Sequence, residues 1–222
     1  MIHFTALRRS VAARFGIGMS IVLLTLSGCA VLPESEVLTF YRLPAPDVSV
    51  QESSAASSLQ AADLPSVLRI ATPYANRAVD STRILVVPET DRVSAYKGAR
   101  WSDAAPVLLR DRLIEVFRSA GVFRSVVTDS GNLGAEFELA SELFGFHVMY
   151  ESDAPVAVVV LDATLINAAS SRIIASQRFR VEQAVQGKEV PEVVQAFGLA
   201  VEALAGQLVE WSRQQAVSAE GR

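Results

Sequence analysis

Three long β segments lie in a row between two amphipathic helical stretches, and that order does most to limit the fold. In residues 136–150 the apolar positions are first odd (Phe137, Leu139, Leu143) and then even (Phe144, Phe146, Val148, Tyr150). The phase flips near Gly145, which predicts a β-bulge or a bend. Residues 156–166 are apolar on both faces for their first half, as in a central strand covered on two sides. Residues 172–185 alternate. Ile173, Ala175, Phe179, Val181 and Val185 are expected to face inward; Arg172, Ser176, Arg178, Arg180 and Glu182 are expected to face outward. The short Asp- or Ser-containing links between the segments suit an antiparallel meander.

A first helix is predicted after Ser102 or Asp103, either of which can cap it, with Pro106 in its first turn. Ala105, Leu109, Leu113, Val116, Phe117 and Ala120 share one face, and Gly121 follows as a C-terminal cap. A second helix is predicted from about Pro191 to Gln214, with a stripe of Val194, Phe197, Val201, Leu204, Ala205, Leu208 and Trp211. Gly198 lies on the same side and would let that helix sit close to the sheet. Upstream, residues 37–43, 67–71, 83–87 and 92–96 read as strands. Residues 47–66 are Ser/Ala-rich, without an aromatic, and read as a flexible loop. Two amphipathic helices need one shared apolar surface, and a sheet supplies it. The prediction is a single α+β domain, a mainly antiparallel sheet packed by two amphipathic helices. It spans residues 67–215, after a segment of tether, first strand and loop over 29–66, with a frayed end at 216–222.

The N-terminus carries a different signal. Arg8, Arg9 and Arg14 precede an apolar run from Phe15 to Leu26, and the string Leu26-Ser27-Gly28-Cys29 ends it. That order matches an export signal over residues 1–28. The run is shorter than the roughly 20 apolar residues of a spanning helix. Cys29 is the single cysteine of the chain. With Ser-Gly before it, it resembles the lipobox of bacterial lipoproteins. The resemblance implies a diacylglyceryl thioether on Cys29, which becomes the first mature residue and is N-acylated, with palmitate as an expected chain. This covalent lipid is the one attached group expected, and no cofactor is. Two or more acyl chains hold a protein firmly to a bilayer. Cleavage removes three of the 20 basic residues and none of the 24 acidic ones, which leaves a formal balance of −7. That balance argues against nucleic acid as a partner and against an overall electrostatic grip on anionic lipid. With its only sulfur lipidated, the fold uses no disulfide.

No catalytic pattern is visible. The mature chain keeps one histidine, His147, and has no G-x-S-x-G elbow, no P-loop and no G-x-G-x-x-G. His147 sits beside Phe146 and Val148 in a predicted strand and reads as structural. Glu136 and Glu138 alternate with Phe137 and Leu139 and read as the wet face of a strand. Trp101 has two readings, a core residue that staples the first helix or an anchor for a partner, and the core reading is favoured. Tyr41 and Leu43 are likewise either part of a first sheet strand, the favoured reading, or an edge open to β-augmentation. Tyr41, Leu43 and Trp101 are therefore the candidate partner contacts.

Together, the lipobox at Cys29, Tyr41-Arg42-Leu43-Pro44, the Val67–Val93 stretch with Pro73-Tyr74, Arg100-Trp101-Ser102-Asp103 before the first helix, and Arg178-Phe179-Arg180 carry a family resemblance. The chain resembles the ABC-type transport auxiliary lipoproteins, the PqiC-like components of MCE (mammalian cell entry) transport systems. The resemblance implies a non-enzymatic docking component in the movement of phospholipids or other hydrophobic molecules between two membranes. Its partners would be an MCE-domain protein and, through it, an ABC permease and ATPase, with a ring of identical subunits as one arrangement. Ala30 after the lipidated cysteine favours, by analogy with enterobacterial sorting, the periplasmic face of the outer membrane. Two alternatives stand beside it: a periplasmic lipid-binding carrier domain, and a lipid-anchored hydrolase.

Overall fold

The computed structural model describes residues 37–45, 64–89, 91–131, 133–151 and 154–221. The signal segment, Cys29, the tether 30–36 and residues 46–63, which include most of the expected loop 47–66, lie outside the described residues, while Leu64–Ser66 of that expected loop instead begin a strand. The elements in chain order are β1 (Thr39–Tyr41), β2 (Leu64–Ile70), β3 (Tyr74–Ala75), β4 (Arg83–Glu89), β5 (Arg92–Trp101), α1 (Ala105–Ala120), β6 (Phe123–Thr128), β7 (Phe137–Glu151), β8 (Ala154–Asn167), β9 (Arg172–Ala184) and α2 (Val190–Glu220).

β7 is the spine of one sheet. β8 pairs with it antiparallel from Phe137↔Asn167 to Glu151↔Ala154, and β9 continues the meander on the far side of β8. Along its other side β7 takes three short strands in succession, all parallel to it. β2 lies at Phe137–Leu139, β3 at Glu142–Leu143 and β4 at His147–Met149. β6 extends β2 in parallel, β5 extends β4 antiparallel, and β1 closes that edge parallel to β5. The sheet is therefore mixed, which corrects the expectation of a mainly antiparallel one. The meander of 136–185 is antiparallel as its short links require. The strands before α1 reach β6 and β7 through a helical crossover, and a crossover permits parallel pairing. Alternation encodes which side chains share a face, not which way a neighbour runs.

Both helices lie on one face of this sheet. α1 packs on β2, β6 and α2, and α2 lies across β8 and β9. The core between them holds Trp101, Phe146 and Phe197, with centroids 5.7 Å apart for Trp101–Phe146, 5.4 Å for Trp101–Phe197 and 4.5 Å for the stacked Phe146–Phe197 pair. α1 starts at Ala105 after an Ala104 cap, one residue later than an Asp103 cap and two later than a Ser102 cap would have it. Asp103 instead accepts from the Ala104 N–H at 2.7 Å, and the Ser81 carbonyl takes the Ala105 N–H. Its buried face includes Ile114, Val116 packs on the core half-buried, and Ala120 is exposed. Gly121 ends it at φ 65°, the left-handed cap expected. α2 runs six residues past the predicted Gln214. Ala216 is fully buried, and the Ser66 hydroxyl donates to Glu220 at 2.9 Å, so the last turns are covered and tied.

The predicted phase flip is a bulge. Leu143 pairs Leu161 and Gly145 pairs Val160, so Phe144 is the inserted residue. Core positions pass from Leu139 and Leu143 to Phe146 and Val148, while Phe144 itself is turned out and 45% exposed. A second bulge inserts Ile174, since Leu165 pairs Ala175 and Ile166 pairs Ile173. It puts Ile173 at 66% exposure, against the inward orientation that alternation implies. On the sheet face away from the helices, Val158 and Val160 are still buried. Their cross-strand neighbours there are His147 and Glu182, and Gly145 and Arg180. The second cover expected for this strand is made by neighbouring side chains.

Candidate functional site

The candidate contacts converge on the N-terminal edge of the sheet. β1 is short, but it is pinned. Thr39, Phe40 and Tyr41 lie beside Ala99, Arg100 and Trp101, and the Ser102 N–H donates to the Tyr41 carbonyl at 2.7 Å. Tyr41 and Leu43 are half-buried and pack against the core. Tyr41 belongs to the sheet edge, Leu43 lies just past the end of the strand, which is shorter than the 37–43 expected, and each keeps some surface. Trp101 has none: it is fully buried between Phe146 and Phe197, in keeping with its core reading. Among the described residues its indole N–H has no hydrogen-bond partner, and it holds the core by packing.

The chain then leaves β1 across α2. A Cβ built on Gly198 would lie 2.7 Å from Pro44 Cγ and 2.9 Å from the Pro44 carbonyl oxygen. Gly198 thus seats the Pro44 segment, where the sequence suggested a close approach to the sheet. Residues 40–45, α1 and the start of α2 border an open groove of about 650 Å³. At its floor Arg112 joins the two helices, with Glu115 and Glu202 each at 2.7 Å. Burial alone would weaken the guanidinium charge, but hydrogen bonds to the two carboxylates outweigh it and raise the pKa. Glu115 and Glu202 thus neutralise Arg112 within the groove.

A second open surface of about 630 Å³ lies on the sheet face away from the helices, bordered by Tyr74, Glu142, Asp162, Ser176 and Arg178. Arg178 forms a fork to Asp162, with both N–O distances 2.6 Å, and its guanidinium lies 4.8 Å from the Phe144 ring centroid. The Arg178 hydrogen bonds hold the Asp162 carboxyl below its ordinary range. Tyr74 is 71% exposed beside it. This cluster was not singled out in the sequence, because Phe144 alternates with core residues until the bulge ejects it.

His147 lies on the same face between its β4 and β8 neighbours Leu85 and Val158. Burial, then the positive charge of Arg180, push its pKa below the ordinary histidine value, so it is neutral near pH 7. Glu138 pairs with Arg69 at 3.1 Å, and Glu136 accepts the Val67 N–H at 2.7 Å. Both carboxylates are tied into strand edges. Among the described residues no group of three or more His, Cys, Asp or Glu side chains is placed to hold a metal ion. What the surface offers chemically is recognition through open apolar and aromatic patches with fixed charges beside them.

Comparison with known proteins agrees with this fold. The crystal structure of protein XCC0632 from Xanthomonas campestris superposes with a TM-score of 0.72 at 24% identity, covering 83% of this chain and 99% of that one. The hypothetical protein CT253 from Chlamydia trachomatis gives 0.50 at 10% identity, covering 67% and 96%. Protein bll6063 of Bradyrhizobium diazoefficiens is 23% identical over 149 residues, 67% of this chain. This chain spans 40% of the length of that relative. The sequence model of one family, described as ABC-type transport auxiliary lipoprotein component, matches residues 41–209, from the end of β1 far into α2. That match takes in the sheet, α1 and most of α2, and the chain belongs to the ABC-type transport auxiliary lipoprotein component family.

Proposed function

We propose that this protein is the membrane-anchored auxiliary lipoprotein of an MCE/ABC-type intermembrane transport system. It acts as a non-enzymatic docking component in the transport of phospholipid or another hydrophobic molecule. Lipid on Cys29 holds it, at the periplasmic face of the outer membrane. Its partners are an MCE-domain protein and, through that protein, the permease and ATPase, with self-association as a further arrangement.

The family match over residues 41–209 carries this reading. The lipobox-like string ending at Cys29 supports the anchor. The packing favours docking over carrying. Trp101, Phe146, Phe197 and Leu208 are buried to 1% exposure or less, and they fill the space between helices and sheet where a carrier would hold its lipid. The open surfaces lie outside that core.

Affinity purification of the full chain from detergent-solubilised membranes tests the partners. An MCE-domain protein, a permease and an ATPase should co-purify; their consistent absence would overturn the docking role. Mass analysis of the same material should find the acyl-modified Cys29 as the first residue. Native mass spectrometry should find no stoichiometric phospholipid beyond the covalent one, and a bound phospholipid would turn the reading into a carrier. A His147→Gln variant should keep transport in cells; its failure there would favour the hydrolase.

A further inference from the structure

The segment where the described fold begins is apolar and open. Val37, Leu38 and Phe40 are 87%, 45% and 62% exposed. Leu38 and Phe40 fall on one side of β1, with Thr39 and the half-buried Tyr41 on the other. Among the described residues β1 has a single strand neighbour, so its outer edge is unpaired. Such an edge is usually blunted by charge or covered. Here the charges sit beside it. Phe40, Arg100 and Arg83 are successive cross-strand partners and form a row on one face. Arg100 is tied to the Tyr96 and Ala99 carbonyls. Exposed Arg83 and Arg42 make no side-chain ion pair or hydrogen bond among the described residues. Asp103, the first acid after Arg100, accepts from the Ala104 N–H.

The position of this patch along the chain says what covers it. Val37 is eight residues after Cys29, so a fully extended link places it no more than about 26–29 Å from the anchor. A large exposed apolar pair beside arginines that have no side-chain partner among the described residues is the composition of a surface that rests at the boundary of head groups and acyl chains. The mature chain is acidic overall, but the charged residues in the row beside Phe40 are Arg100 and Arg83, with Arg42 two positions after Phe40.

We propose that Val37, Leu38 and Phe40, with Arg42 and Arg83 at head-group level, form a membrane-contacting edge that lies on the phospholipid surface beside the anchor. The proposal rests on Cys29 being acylated. The edge orients the domain: β1 faces the bilayer, and the α1 and β9 sides are left for partners.

The chain's own chemistry supplies the test. Its single cysteine is blocked once lipidated, so Leu38→Cys, Phe40→Cys or Val93→Cys adds the sole free thiol for an environment-sensitive dye. Val93 is 56% exposed and about 23 Å along β5 from the residue opposite Phe40, which makes it the control. The full lipidated protein is reconstituted into phosphatidylethanolamine and phosphatidylglycerol vesicles with brominated acyl chains. All three positions are exposed, and circular dichroism checks each fold before use. Positions 38 and 40 should show blue-shifted emission quenched by the brominated chains, while position 93 reads as water. Protein that floats with the vesicles but reads as water at both 38 and 40 overturns the membrane edge and leaves the anchor standing. Protein that does not float overturns the anchor itself. A dye at 40 that is shielded only when the co-purified partner complex is added assigns the edge to a protein, and sinks the lipid assignment.

Discussion

The two faces of this one sheet carry aromatic residues of similar size and treat them in opposite ways. On the helix side Trp101, Phe146 and Phe197 are enclosed to 1% exposure or less and touch one another. On the far side and at the β1 edge, Tyr74, Phe144 and Phe40 stand 71%, 45% and 62% exposed. The first set loses its water on folding and gains dense contacts, so it contributes stability. The second set gains little from folding and is free to be used by something else. A docking component of the kind proposed would need that division: a fold that holds by itself, and outer surfaces that can change without unfolding it.

Trp101→Ala puts the sharpest pressure on the contrast. It should cost about 3–5 kcal/mol in urea unfolding, from lost transfer energy and the cavity left between Phe146 and Phe197. A loss below about 1 kcal/mol would mean that the helix-side cluster is not the stabilising one. Gly198→Ala comes next. In an open helix it would gain about 1 kcal/mol from propensity. Here the new Cβ meets the Pro44 carbonyl oxygen at 2.9 Å, so a net loss of about 1–3 kcal/mol is expected. Protease cutting near Pro44 should also become faster. A stabilised variant would show that the Pro44 segment does not rest on α2.

His147 gives a smaller effect that appears only with pH. Its folded pKa lies below the ordinary 6.5, so the unfolded chain binds the proton more readily. The stability linked to its neutral form is present above pH 6.5 and is lost as the pH falls through the folded value. The urea midpoint of the wild type should therefore drop between pH 7.5 and pH 5.5 by more than that of His147→Gln. Parallel curves would remove His147 as the source. Phe144→Ser on the far face sets the floor of the series. It should change unfolding by no more than about 0.5 kcal/mol, because the ring is already half in water. A loss as large as that of a core aromatic would erase the distinction between the faces.

How much of this was legible in the chain follows from which physics each feature obeys. The bulge at Gly145 was readable because the apolar series changes phase there. The core face of α2 was readable from its stripe. The ejection of Phe144 was not, because an inserted residue belongs to neither phase and its direction depends on the strand opposite, and Ile173 is put out of phase in turn by the inserted Ile174 beside it. Exposed Phe40 was missed for a related reason. Its neighbours Tyr41 and Leu43 drew attention as contacts, and only pairing with β5 shows which side of β1 remains open. The Arg178–Asp162–Phe144 cluster joins strands through that same bulge.

Read alone, the chain determined its two helices, its long antiparallel meander, its freedom from disulfides and the lipobox-like string at Cys29. Side-chain direction repeats with local backbone geometry, so these features are written in spacing. Only the folded molecule decided that β2, β3 and β4 run parallel to β7, that β1 joins β5, and that Pro44 rests in the gap left by Gly198. Those choices depend on crossover connections and on contacts between residues far apart in the chain, and periodicity carries no information about either.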